Sequence, residues 1–183
     1  ATAFHTFAKA FELPLDKTVK DLSRGMGMKL SLACALSHGA DLLILDEATA
    51  GLDPMARDEI LDTLRVFVEQ PGHAIFMSSH ITSDLERIAD RVLCIDNGRI
   101  TFDLAKDAIT DDMGIARCRE ADFERIAVSG FIPENELRYR KHEYGIDLLV
   151  PDRFAFSEKC PQVPVDRMSI DDYLTLTLKG GVR

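Results

Sequence analysis

Several features that would narrow the function at once are missing from this sequence. No apolar run approaches the roughly 20 residues that a helix needs to cross a bilayer, and no signal-peptide pattern opens the chain. An excess of positive charge is also missing, because the net charge of the 183 residues is −9. Such a charge argues against a general affinity for nucleic acids or anionic lipids. We therefore expect no nucleic-acid partner, and any work at a membrane must depend on another protein.

Cysteine is scarce, and its spacing is not that of a metal site. The four cysteines, Cys34, Cys94, Cys118 and Cys160, lie far apart in the sequence. Three of them fall in stretches predicted to be helix or strand interiors, where a free thiol behaves as a small apolar group. We expect buried free thiols rather than disulfides, and hence a reducing compartment.

What the sequence does contain is a strand–helix–strand pattern. The apolar run Leu42–Leu45 ends abruptly in acidic residues, which is typical of a parallel strand that is covered on both faces. Asp53 and Pro54 supply an N-cap and a first-turn proline for the following helix. Residues 74–78 form a second apolar strand. This order predicts a βαβ unit with a right-handed crossover.

Helices are predicted before this unit and a hairpin after it. Residues 3–12 form a short helix, and residues 23–37 form a helix that is apolar nearly all round, which predicts burial. The turn Asp96-Asn97-Gly98 predicts a β-hairpin, because Asn-Gly suits a type I′ turn. Residues 103–112 are predicted to form a polar closing helix.

Beyond Gly114 the pattern changes to strand, helix, two strands, helix, strand and helix. This βαββαβα order is compatible with a small ferredoxin-like domain. We therefore predict an α/β chain with a domain of residues 1–112 and a small C-terminal α+β domain of residues 113–183. The basic stretch at 138–142 is expected to be a solvated strand face rather than a lipid or nucleic-acid contact.

Candidate anion-binding residues lie at the start of the apolar helix, in the stretch Leu22-Ser23-Arg24-Gly25-Met26. A capped helix start offers unpaired backbone N–H groups to an anion, and a glycine lets a phosphate approach the backbone. Ser23 and Gly25 are therefore candidates for phosphate contact. A plain helix cap with an early glycine would have the same sequence.

Two carboxylates, Asp46 and Glu47, follow the first strand, where open α/β sheets place their ligands. Adjacent strand residues point to opposite sides, so the two should have different tasks. One can hold Mg²⁺, and the other can orient or deprotonate an attacking water. The alternative is that acidic residues simply end the strand.

Two further polar motifs follow. Gly51-Leu52-Asp53-Pro54 has the plain interpretation of a helix cap. Ser78-Ser79-His80 ends the second strand, next to the two carboxylates if the sheet is parallel. His80 could there hydrogen-bond a terminal phosphate, or it could simply be a surface histidine.

Taken together, these motifs resemble the ATP-binding cassette of ABC transporters over roughly residues 15–102. The signature, the Walker B strand with its glutamate, the D-loop and the switch histidine occur in the order of that family. The stretches LSRGMGMKLSLACALSHGADLLILDEATAGLDPMARDEIL and SSHITSDLERIADRVLCIDNGRI are similar to the subfamily that serves ABC-2-type bacterial exporters, and the C-terminal extension is similar too. The resemblance implies a partial P-loop NTPase sheet with flanking helices. It also implies an ATP-hydrolysing subunit, with ATP and Mg²⁺ as cofactors, that powers export.

The resemblance further implies a role for each site residue. Asp46 would serve Mg²⁺, Glu47 would be the catalytic base, and His80 would sense the γ-phosphate.

It likewise implies partners and a location. Ser23 and Gly25 would contact the γ-phosphate of ATP on the opposite subunit, and Asp53 would link the two sites. The partners would be a membrane permease subunit and a second ATP-binding subunit, identical or different. The pair would be cytoplasmic, held at the inner face of the cell membrane by the permease.

This sequence departs from the family pattern in several places. Arg24 stands where glycine is commonest, Met26 replaces a frequent glutamine, and Ala48 replaces the usual proline, which could loosen the turn that leads to Asp53. No G-x-x-x-x-G-K-[ST] motif occurs, so the chain lacks the loop that grips the β- and γ-phosphates. We expect truncation, with about half of the cassette upstream, and little ATP binding by these residues alone.

Other functions stay open at this point. In a non-catalytic interaction module, residues 113–183 would bind a ligand or partner, and the remnant cassette would be a scaffold. A chromosome-organising or DNA-repair ATPase with the same signature fits less well. Such proteins carry long coiled coils, and no sustained heptads occur in this sequence.

Overall fold

The computed structural model of the protein describes residues 2–182. They form two compact units, one ending at Ile88 and the other beginning at Ala89, and each has its own buried apolar core. Among the described residues, no helix has the length and apolar character that a membrane span requires. The domain boundary that we place after residue 112 follows the order of motifs, and it stays a prediction.

The first unit is built around a pair of parallel strands. Its elements in chain order are α1 (Thr2–Ala10), α2 (Arg24–Leu36), β1 (Leu42–Asp46), α3 (Pro54–Val68), β2 (Ala74–Ser78) and α4 (Thr82–Ile88). β1 and β2 pair in parallel from Leu42 opposite Ala74 to Asp46 opposite Ser78. The predicted βαβ unit is therefore confirmed, and it brings the polar ends of the two strands to one edge.

Local chemistry explains where α3 begins and which face it buries. Asp53 Oδ1 accepts hydrogen bonds from the backbone N–H groups of Met55 and Ala56, at 3.1 and 3.0 Å. These bonds satisfy donors that have no partner inside the helix, and Pro54 has no N–H to satisfy. The buried side chains of α3 recur at helical spacing: Ile60, Leu61, Leu64 and Phe67.

The prediction that β1 is covered on both faces is wrong for the described residues. Leu43 is buried against the helices, but Leu42 is 52% exposed and Ile44 is 74% exposed. Phe76, which is opposite Ile44 on β2, is 66% exposed. The core of this unit lies on the Leu43 side only, so the other face of the two strands is an apolar surface.

The predicted burial of α2 on all sides is also wrong. Only its C-terminal half is buried, at Leu32, Ala33 and Leu36. Cys34, which we expected to be buried, is exposed. All four cysteines are free thiols, as predicted, but full burial holds for Cys118 alone.

The second unit opens with a β-hairpin of β3 (Arg91–Asp96) and β4 (Arg99–Ala105). Asn97 and Gly98 at its turn have positive φ angles of 47° and 75°, as a type I′ turn requires, so this prediction is confirmed. The predicted helix over 103–112 is wrong. β4 pairs with β3 as far as Ala105, and only a short π-helical turn, Ala108–Asp112, follows.

The rest of the second unit confirms the predicted βαββαβα order. Its elements are β5 (Gly114–Cys118), α5 (Glu120–Ser129), β6 (Arg138–His142), β7 (Gly145–Val150), α6 (Arg153–Lys159), β8 (Val165–Arg167) and α7 (Ile170–Lys179). A short β9 (Gly181–Val182) extends the antiparallel sheet, whose strand order is β8-β5-β7-β6-β9. This is the ferredoxin-like arrangement that the sequence predicts.

A buried carboxylate, Asp147, lies in β7, between residues that belong to the apolar core. Arg117 Nη1 donates to Asp147 Oδ1 at 2.7 Å, and His142 Nε2 lies 3.2 Å from the same oxygen. Arg140 Nη2 lies 3.5 Å from Asp147 Oδ2. Burial by itself would raise the pKa of Asp147, but the hydrogen bonds and charges of Arg117 and His142 outweigh it and lower the pKa below its ordinary 3.8.

This lowered pKa predicts that acid destabilises the second unit. The carboxylate contributes stability above its unfolded pKa, and that contribution disappears as the pH falls through the lower folded pKa. Urea unfolding, followed by tyrosine fluorescence, should show a loss of stability below about pH 4 that Asp147→Asn removes. All three tyrosines lie in this unit, and the chain has no tryptophan.

The matched control is Asp166→Asn. Asp166 also receives a bond from Arg117, at 3.3 Å, but its side chain is 65% exposed. Asp166→Asn should keep the loss of stability below about pH 4. If Asp147→Asn kept that loss as well, the assignment to Asp147 would be contradicted.

Candidate functional site

The candidate site is at the carboxyl ends of β1 and β2. Ser78 Oγ donates a hydrogen bond to Asp46 Oδ1. The backbone N–H of Glu47 donates to the carbonyl oxygen of Ser78 at 3.1 Å and lies 3.2 Å from its Oγ. Ser78 therefore fastens the two strand ends together just before the chain turns away from the sheet.

Glu47 begins that turn in an unusual backbone conformation. Its φ angle is 50°, in the left-handed region that L-residues other than glycine seldom adopt. The next two residues, Ala48 and Thr49, are buried. The turn thus directs the Glu47 side chain outward, with Ala48 as the residue that follows it.

Glu47 and His80 form a close pair across the two strands. Glu47 Oε2 lies 2.7 Å from His80 Nδ1, and the two side chains are 38% and 71% exposed. Because a carboxylate oxygen can only accept, Nδ1 is the protonated nitrogen of the ring when Glu47 is ionised. A carboxylate and an imidazole that contact each other and are open to solvent can together bind a water molecule or a phosphate oxygen of a ligand.

Asp46 is exposed beside this pair and has one carboxylate oxygen engaged by Ser78. No group of three or more metal-ligating side chains occurs among residues 2–182. Mg²⁺ is usually held by one or two carboxylates together with waters and substrate phosphates, rather than by a cage of side chains. The residues present thus fit Mg²⁺ only as a partial ligand set, in which Asp46 supplies one oxygen.

The other predicted residues lie at the starts of α2 and α3. Ser23 Oγ accepts a hydrogen bond from Met26 N at 3.2 Å, which caps α2. A Cβ atom added to Gly25 would lie 3.6 Å from Ala56 Cβ and 3.9 Å from Leu52 Cδ2. Gly25 therefore lies against the segment that leads into α3, which is capped by Asp53. The predicted site residues therefore fall into two groups. One surrounds the Glu47–His80 contact, and the other lies at the starts of α2 and α3.

The sequence analysis did not predict that the Arg24 side chain contacts Gly51. A Cβ atom on Gly51 would lie 2.7 Å from Arg24 Cζ, and the φ angle of Gly51 is +69°. The guanidinium thus covers the backbone of the loop between Glu47 and Asp53. The sequence signal for this contact is Arg24 itself, at a position where the cassettes that the chain resembles commonly have glycine.

Comparison with known proteins gives consistent matches to ABC-transporter ATP-binding proteins. The family model described as ABC transporter matches residues 3–50. An energy-coupling factor transporter ATP-binding protein of Clostridium perfringens is 40% identical over 93 residues, which are 51% of this chain and 33% of that protein. A Nod factor export ATP-binding protein I of Ralstonia nicotianae is 35% identical over 133 residues, covering 65% of this chain and 41% of that protein.

Among solved structures, an ATP-binding subunit of an ABC transporter superposes with a TM-score of 0.53 at 29% identity. The match covers 59% of this chain and 45% of that one. The chain thus spans between a third and two fifths of the length of the two curated relatives.

Proposed function

We propose, from the premise that this chain belongs to the ATP-binding subunits of ABC transporters, that its first unit is part of an ATP-hydrolysing cassette. We assign the activity to a whole cassette protein, and this chain spans 33% and 41% of the length of the two curated relatives. Within that protein, residues 1–112 contribute the signature, the Walker B carboxylates, the D-loop and the switch histidine. Residues 113–183 are an accessory α+β domain.

The observation that carries this proposal is the 2.7 Å contact between Glu47 Oε2 and His80 Nδ1. In this proposal, Glu47 is the base that orients and deprotonates the attacking water, and His80 contacts the γ-phosphate. Their position supports these roles, because ligands of open α/β sheets bind beyond the carboxyl ends of parallel strands. Asp46 would supply one oxygen to Mg²⁺, and the ion would neutralise phosphate charge.

The group at the helix starts supports a role toward a second nucleotide and a second cassette. The start of α2 carries the positive end of a helix dipole, which favours an anion. We assign Ser23 and Gly25 to the γ-phosphate held by an opposing subunit, and Asp53 to the link between the two sites. The two subunits dock on a membrane permease at its cytoplasmic face. We assign the complex to ABC-2-type export, a direction that the name of the Ralstonia relative also supports.

The experiment compares this chain with the longer protein that contains it. The longer protein should release phosphate from ATP in the presence of Mg²⁺. Residues 1–183 alone should bind ATP only weakly in calorimetry, because they carry no phosphate-gripping loop. A longer protein that binds ATP but never hydrolyses it would contradict the proposal and favour the interaction-module alternative. Micromolar ATP binding by residues 1–183 would contradict the proposal that the phosphate-gripping part of the site lies outside these residues.

A further inference from the structure

A buried polar cluster lies close to the Glu47–His80 pair, and none of the family motifs accounts for it. It consists of Thr49, Arg57 and Asp84, and we call it the Asp84 cluster. Thr49 and Asp84 are 0% and 1% exposed. Thr49 Oγ1 donates to Asp84 Oδ2 at 2.5 Å, and Arg57 Nε donates to Asp84 Oδ1 at 2.6 Å. Both oxygens of one buried carboxylate are thus bound by groups from two other segments.

The cluster joins the segments that carry the site. Thr49 follows Glu47 by two residues, in the turn after β1. Asp84 belongs to α4, which begins at Thr82, two residues after His80. Arg57 lies in the first turn of α3 and also donates to Ser83 Oγ at 2.8 Å. The turn beyond Glu47, the helix beyond His80 and the start of α3 are therefore tied to a single buried group.

The exposed Glu47–His80 pair is a poor candidate for fixing its own geometry. His80 is 71% exposed, and contacts between exposed charged groups are weak because water competes for both partners. A buried carboxylate is different, since losing a donor leaves one of its oxygens without a hydrogen-bond partner in a low-dielectric interior. The buried cluster therefore resists displacement far more strongly than the pair whose two segments it joins.

We propose that Asp84 is a positioning residue, which sets the distance between Glu47 and His80 by holding the turn at Thr49 against α4. The inference rests on the proposed function, because the distance matters only if Glu47 and His80 act on one bound nucleotide. Neither Thr49 nor Asp84 touches the nucleotide in this scheme. Their effect reaches the reaction only through the two residues that do.

The test uses the longer, ATP-hydrolysing protein and two substitutions at one position. Thr49→Val keeps the shape of the side chain and removes the hydroxyl, whereas Thr49→Ser keeps the hydroxyl. Thr49→Val should lower kcat at least about tenfold, because small displacements of catalytic groups have large effects on rate. Its KM for ATP should stay within about twofold, since ATP-gripping groups are untouched. Thr49→Ser should keep both constants within about twofold of the parent.

A double substitution separates positioning from general damage. If Thr49 acts by setting the distance between Glu47 and His80, then His80→Ala leaves no such distance to set, and adding Thr49→Val to it should lower the residual rate by less than about twofold. A general folding defect would multiply the two losses, which would overturn the proposal. Equal kcat values for Thr49→Val and Thr49→Ser would overturn it too.

Asp84→Asn provides an independent check, with Asp58→Asn as its control. Asp58 is also a carboxylate that joins α3 to α4, through its contact with Arg87, but its side chain is 64% exposed. Asp84→Asn should lower kcat by at least about tenfold, and Asp58→Asn should leave it within about twofold. Equal losses in both would overturn the proposal. If Glu47→Gln hydrolyses ATP normally, the proposed function itself fails; if it is inactive while Thr49→Val is normal, only this inference fails.

Discussion

Glu47→Gln in the longer protein is expected to slow ATP hydrolysis by about 10²- to 10⁴-fold while ATP binding stays nearly unchanged. The substitution removes the carboxylate that we propose as the acceptor of a proton from the attacking water. It preserves the shape of the side chain, and the amide oxygen of glutamine can still accept a hydrogen bond from His80 Nδ1. The loss therefore falls on the chemical step. Phosphate release measures the rate, and calorimetry measures ATP binding.

The control for this variant is Glu69→Gln, which changes an exposed carboxylate at the C-cap of α3. It should retain the parental rate. Because the blocked variant binds ATP without consuming it, it should also accumulate as an ATP-bound dimer in size-exclusion chromatography. Turnover close to the parental rate in Glu47→Gln would remove Glu47 from the role of base.

Phe156→Ala is expected to destabilise the second unit by about 3–5 kcal/mol. Phe156 is 0% exposed and belongs to the apolar core between the sheet and its helices. Its ring centroid lies 5.7 Å from that of Phe131. Truncation therefore removes buried apolar surface and leaves a cavity. Urea unfolding followed by tyrosine fluorescence reports on this unit alone, because all three tyrosines lie within it and tryptophan is absent.

Phe154→Ala is the matched control on the same helix. Phe154 is 60% exposed, and the Arg153 guanidinium carbon lies 4.3 Å from its ring centroid. Losing this exposed contact should lower stability by no more than about 1 kcal/mol. Similar losses for the two variants would mean that α6 does not bury Phe156 in the core.

Most of the element order was predictable, because it rests on local signals that the fold retains. Capping residues and apolar periodicity located α3, and Asn97-Gly98 located the hairpin turn. The alternation of strands and helices after Gly114 was enough to predict the ferredoxin-like order. These signals depend on neighbours in the sequence, so they do not require knowledge of which segments pack together.

Burial was less predictable than element type. An apolar run shows that a strand can be covered on both faces, but it cannot show whether a covering layer is present. Ile44 and Phe76 are therefore apolar and exposed, whereas Leu43 is buried. The end of β4 was not predicted for a related reason. Pairing with β3 determines where β4 ends, and the residues after Phe102 give no local indication of that pairing.

The contacts of the candidate site also include some that the sequence predicted and some that it did not. The proximity of Glu47 and His80 followed from parallel strand pairing, which the βαβ pattern implied. The bond between Thr49 and Asp84 joins residues 35 positions apart and depends on how α4 packs. Nothing in the local sequence of α4 marks Asp84 as buried.

The uneven burial of the cysteines makes the protein easy to label at one place. The thiolate is the nucleophile that attacks thiol reagents, and burial raises the pKa of Cys118 to about 12, so its thiol stays protonated and inaccessible at neutral pH. Burial also raises the pKa of the half-buried Cys94. Cys34 lies exposed on α2, the helix whose first turn carries Ser23 and Gly25. A maleimide dye added to the unaltered protein should therefore react first with this helix, and its emission would then test the proposed approach of a second subunit.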